Sequence, residues 1–99
     1  MTIEQYEDFV EERCQPYTDL NYCVVALNGE AGEFAEWHKK FNLRGDRSKL
    51  SSMDALHELG DCLFYITRAA NLMGCSLGDI MDMNRDKLEA RIATAQVVG

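Results

Sequence analysis

Two groups of carboxylates are spaced so that they could do chemistry together. Glu30, Glu33 and Glu36 recur at intervals of three in VVALNGEAGEFAEW, residues 24–37, and Glu58 and Asp61 stand three apart in HELGD, residues 57–61. At about 100° of rotation per residue, Glu30 and Glu33 share one shoulder of a helix, with Ala26, Trp37 and Lys40 on the same line. Glu36 turns further toward solvent. Glu58 and Asp61 likewise share a shoulder, with Tyr65 below them. Carboxylates converging without partners repel one another and lose hydration. A divalent cation relieves both costs, and an all-oxygen donor set suits Mg²⁺ or Mn²⁺ rather than zinc. Either pair alone reads equally well as a solvated acidic stripe. It is the two pairs on neighbouring helices that suggest a site.

The elements that must position these groups are all helical. The first helix is expected over residues 2–14, capped by Thr2, with Ile3, Tyr6, Phe9 and Val10 on one face and Pro16 closing it. The second runs from about Asp19 to Phe41, with Leu20, Cys23, Val24, Leu27, Ala31, Phe34 and Phe41 at helical period. Gly29 and Gly32 sit inside it, each costing about 1 kcal/mol relative to Ala, so a packing or functional reason is expected for them. A polar, basic connection follows over 42–52, carrying Arg44, Arg47 and Lys49. The third helix starts at Ser51 or Ser52 and runs to about Met73, with Leu56, Leu59, Leu63, Ile66, Ala70 and Met73 as its stripe. Gly74 fits its C-terminal cap. Ser76, with Asp79 three residues on, starts a fourth helix that runs to about Ala95. No strand-like alternation competes. Short links between long amphipathic helices predict a single all-α domain over 1–99, an antiparallel four-helix bundle.

At this point the residues carry a resemblance. ALNGEAGEFAEWHKKF, then HELGDCLFYITRAANLMG, then SLGDIMDMNRDKLEAR, spanning residues 20–91, resemble the MazG-like family of all-α nucleoside triphosphate pyrophosphohydrolases. Its pattern is EExxE, a spacer, and ExxD; Gly29 stands where the first Glu would be. The resemblance implies Glu30, Glu33, Glu58 and Asp61 as Mg²⁺ ligands, with Mn²⁺ as a substitute. It implies cleavage of a (deoxy)nucleoside triphosphate between the α and β phosphates, giving a monophosphate and pyrophosphate. The metal would bridge an anionic substrate and an acidic site and activate water. Glu33 or Glu36 would accept the water's proton. Asn84 and Lys87, one turn apart on the fourth helix, would contact phosphate and sugar. Arg91 lies on the same line, and Lys40 on the carboxylate shoulder either reaches phosphate or pairs with Glu36. Trp37 reads as core or as a base-stacking surface, and His38 and His57 as structural.

Composition narrows the rest. The formal net charge is −7 over 99 residues, which argues against a nucleic-acid polymer or a membrane surface as partner. Apolar runs are too short to span a bilayer, and the acidic N-terminus carries no signal core, so a cytoplasmic location is expected. Cys14, Cys23, Cys62 and Cys75 show no metal-binding spacing and read as reduced thiols. Hydrophobic residues make up 46% of the chain. A chain this short gains core by pairing, so a homodimer or homotetramer is expected. Two rivals differ in class. One is a di-iron or di-manganese redox bundle, which wants Glu-x-x-His where this chain has Ala35 and Asp54 ahead of its histidines. The other is a non-catalytic helical adaptor.

Overall fold

A computed structural model describes residues 1–47 and 50–98, with the side chains of 96–98 left aside; Lys49, expected in the basic connection, lies outside the described residues. Among them the chain is all-α, with no strand. The helices are α1 (Ile3–Arg13), α2 (Leu20–His38), α3 (Ser52–Leu72) and α4 (Leu77–Val98).

Local chemistry explains each boundary. The Thr2 hydroxyl accepts from the Gln5 amide at 3.1 Å while the Gln5 side chain accepts from Thr2 N–H at 2.7 Å, a reciprocal cap on α1. Asp19 caps α2 by accepting from the Tyr22 amide at 2.8 Å. At α3 the Asp54 carboxylate accepts from the Ser51 backbone N–H at 2.8 Å. Gly74, at φ 83°, ends α3 in the left-handed region, with Cys75 N–H donating to Ala70 O at 2.9 Å. Ser76 and Asp79 cap α4 reciprocally, each bond at 3.0 Å.

One boundary differs from the periodicity. The second helix does not stop at Phe41; it widens into a π-helical turn over Lys39–Leu43, closed by Arg44 N–H to Lys39 O at 2.9 Å. The wider turn keeps Phe41 stacked on Trp37, ring centroids 4.9 Å apart, and sets the Arg47 guanidinium 4.5 Å above Phe41.

Packing is unequal. α2 lies along α3, and α1 crosses α3 and the start of α4. The Arg68 Nε donates to Thr18 O at 3.2 Å, which ties the loop after α1 to α3, and Glu7 accepts from the Leu77 amide, which ties the middle of α1 to the start of α4. The buried apolar side chains are Val10, Cys23, Ala55, Ala70 and Leu77, a small core. Among the described residues α2 and α4 do not pack against each other, so the expected four-helix bundle is not closed within one chain, and α4 is exposed at every described position from Met81 onward. The radius of gyration is 16.9 Å, where a compact domain of this length has about 13 Å. The expected core stripes are therefore only partly covered; Val24 is 62% exposed and Leu56 60%.

Candidate functional site

The α2–α3 pair brings Glu30, Glu33 and Glu58 together. One carboxylate oxygen from each lies within 4.8 Å of the others. Glu30 and Glu58 are half-buried, Glu33 exposed. The Oε2 atoms of Glu30 and Glu58 are out of water with no hydrogen-bond donor to meet them. Ionised carboxylates only accept, so this arrangement holds together through a shared proton or a cation. The electrostatics agree. Burial first, then the charges of Glu33 and Asp61 and its contact with Glu58, push the Glu30 carboxyl up to about 7. Glu58 is raised chiefly by burial and then by Glu33. Asp61 lies outside the set of three, exposed on α3, but near enough for its charge to act on Glu30 and Tyr6. The Cys62 thiol behind the cluster is held protonated by burial and by the three acids around it.

A cavity of about 320 Å³ opens beside the cluster, at the end where the α2–α3 connection closes. Glu33, Glu36, Trp37 and Lys40 of the second helix and its π turn form one wall, and Leu50, Asp54 and Glu58 the other. Trp37 is fixed there by its Nε1–H, which donates to Ser51 O at 2.8 Å, and by Phe41 against its ring. The cavity thus has an acidic end and an aromatic end. Leu50 and Asp54 are wall residues that helical spacing does not mark; the one signal in the sequence is Asp54's position in the first turn of α3.

The remaining candidates fall in two places. Glu36 sits between two cations, 3.5 Å from Lys39 Nζ and 3.4 Å from Lys40 Nζ. Lys39 first, then Lys40, hold its carboxyl below the usual range, which weakens it as a base. Lys40 reaches the cavity while paired to Glu36, and a pair this exposed to water is weak, so an anion can draw the lysine away. Asn84, Lys87 and Arg91 lie on the exposed part of α4, and their own chain does not bring them to the acids of α2. His38 packs locally, its Nδ1 3.0 Å from Asn42 Nδ2.

Fold and site together define a small all-α protein with a cluster of carboxylates between two antiparallel helices. Over 80 residues, 79% of its length, the chain is 32% identical to the gene 37 protein of Mycobacterium phage L5, of which the match covers 70%. The chain belongs to the family of that phage protein. No protein-family profile matches it, and no solved structure does. Among the described residues no helix is long and apolar enough to cross a membrane.

Proposed function

We propose that the chain is a MazG-like, divalent-metal-dependent nucleoside triphosphate pyrophosphohydrolase, cleaving between the α and β phosphates. The observation that carries this reading is the pair of unpartnered carboxylate oxygens on Glu30 and Glu58, with Glu33 within 4.8 Å. Such groups are costly without a cation and suited to one. The motif resemblance and the adjoining cavity supply the rest.

Glu30, Glu33 and Glu58 would hold Mg²⁺ or Mn²⁺, with Asp61 as a further acid nearby on α3. A cation held there would supply Lewis acidity at the phosphates and lower the pKa of water. Glu33, the exposed member of the cluster and a wall of the cavity, takes the proton from the attacking water at its carboxylate. Glu36 is the weaker choice because Lys39 and Lys40 stabilise its charge. Lys40 leaves Glu36 to meet phosphate. Trp37 and Leu50 give the nucleobase an apolar wall, and a cavity of about 320 Å³ falls within the range of small-molecule sites. Asn84, Lys87 and Arg91, which their own chain holds away from the acids of α2, would meet the phosphates only in a site completed by assembly.

The test is a panel of ribo- and deoxynucleoside triphosphates with Mg²⁺, read by pyrophosphate release. At least one is turned over, and Glu58→Gln abolishes that turnover with helical circular dichroism intact. An inert panel would leave a helical adaptor as the better description.

A further inference from the structure

The cavity beside the carboxylate cluster carries one polar group that neither a metal nor a phosphate accounts for. Because α2 and α3 run antiparallel, Trp37, four residues after Glu33, and Asp54, four residues before Glu58, both stand one turn, about 6 Å, from the cluster in the same direction. Asp54 is held by the end of its own helix: its Oδ2 accepts from Ser51 N–H at 2.8 Å and from the Ser51 hydroxyl at 3.3 Å. Its other oxygen, Oδ1, meets no donor among the described residues. The nearby donors are engaged elsewhere, Trp37 Nε1–H on Ser51 O at 2.8 Å and Lys40 Nζ at 3.4 Å from Glu36. We propose that Asp54 Oδ1 selects the nucleobase, so that the chain takes nucleotides whose base carries an exocyclic amino group, as cytosine and adenine do, over the counterparts with a carbonyl in that place.

This inference rests on the nucleotide reading of the cavity and adds which edge of the base is read. A carboxylate oxygen only accepts hydrogen bonds. An amino group turned toward Asp54 donates to it. A carbonyl in the same place sets two acceptors against each other and strips water from Oδ1 without replacing its hydrogen bond. Uracil has a ring N–H, but that group lies between two carbonyls, so bringing it to Oδ1 brings a carbonyl as well. The cap on Oδ2 fixes the carboxyl group and leaves one free acceptor, which matches one amino group. Trp37 and Leu50 line the same cavity and hold the ring at that edge. Trp37 does not swing aside, since Ser51 O holds its Nε1–H and the Phe41 ring lies 4.9 Å from its own.

Trp37 is the single tryptophan of the chain, so its fluorescence reports what enters the cavity whether or not anything is cleaved. Two matched pairs isolate the amino group: cytidine against uridine 5′-monophosphate, and adenosine against inosine 5′-monophosphate, each titrated in Mg²⁺. The amino member of each pair quenches Trp37 at about tenfold lower concentration, the size of one hydrogen bond to a charged acceptor. Asp54→Asn keeps a carbonyl oxygen for the Ser51 cap and puts an amide N–H where Oδ1 stood, so the contrast vanishes or reverses while helical circular dichroism is unchanged. Equal quenching within both pairs, no quenching by any of the nucleotides, or a contrast that survives Asp54→Asn each overturns the proposal and leaves Asp54 a helix cap alone. Hydrolysis is scored separately. Equal quenching with pyrophosphate released alike from cytidine and uridine triphosphates removes the base preference and leaves the pyrophosphohydrolase standing. The contrast without pyrophosphate release from any triphosphate keeps the preference and removes the hydrolase.

Discussion

Glu30 and Glu58 each keep one carboxylate oxygen away from water with no donor in reach, and most of what the site can do follows from that. Replacing Glu58 by Gln puts an amide donor beside Glu30. The metal-free protein should gain stability, while its melting temperature loses its response to Mg²⁺. In the wild type, Mg²⁺ at a hundred times its Kd should add about 2.7 kcal/mol. Calorimetry across millimolar Mg²⁺ checks both, and an unchanged Mg²⁺ response in Glu58→Gln removes that residue from the cluster. Glu30 gives the pH dependence. Its carboxyl moves from 4.5 to about 7 on folding, so the folded state binds that proton more tightly than the unfolded state. The stabilisation is complete below pH 4.5 and fades as pH climbs through about 7, so metal-free stability falls across that window. Glu30→Gln should flatten the fall. Mg²⁺ should reverse it, since the cation binds the ionised form. A metal-free melting temperature constant from pH 5 to 8 in the wild type would contradict the burial of these acids.

At the scale of the helices, two kinds of glycine should respond oppositely to the same change. Gly74 has φ 83° and terminates α3, so Gly74→Ala forces a side chain into the left-handed region and should cost about 1 kcal/mol. A Cβ at Gly29 or Gly32 meets nothing within 4 Å, so Gly29→Ala should stabilise α2 by about 1 kcal/mol. Urea denaturation of the two variants reads the signs directly. Among the described residues nothing packs against Gly29 or Gly32, which flank Glu30 on an open face. Helix limits were legible in the sequence because they rest on local partners: Thr2 with Gln5, Ser76 with Asp79, and Gly74 alone. Of the four acids expected together, Glu30, Glu33 and Glu58 do converge, as intervals of three on each helix suggest, while Asp61 lies outside that group. The π-helical turn was not, because it depends on Phe41 stacking between Trp37 and Arg47 rather than on any period. Leu50 and Asp54 were hidden for a similar reason: Asp54 enters the cavity through the register of α3 against α2 and Leu50 through the path of the connection before α3, neither of which local spacing encodes.

The whole molecule is more open than its stripes suggest. A stripe such as Leu56, Leu59, Leu63 and Ile66 records which residues need covering, but does not record whether the same chain or another copy covers them. That is why a closed bundle was expected where α4 instead stands clear of α2. It also leaves Lys87 and Arg91 away from the acids in a single chain, so Lys40→Ala should lower kcat/KM for a triphosphate substrate at any protein concentration. Lys87→Ala should do so only under conditions in which the protein assembles. Initial rates measured on either side of the dissociation midpoint separate the two. The central claim, a metal-dependent cleavage between the α and β phosphates, is tested most directly by the identity of the products. A nucleoside triphosphate is incubated with the protein and Mg²⁺, and the mixture is resolved by ³¹P NMR. The account predicts nucleoside monophosphate and pyrophosphate in equal amounts, absent when Mg²⁺ is chelated and absent in Glu58→Gln. Nucleoside diphosphate with inorganic phosphate, or an untouched triphosphate across the common bases and both sugars, would contradict it.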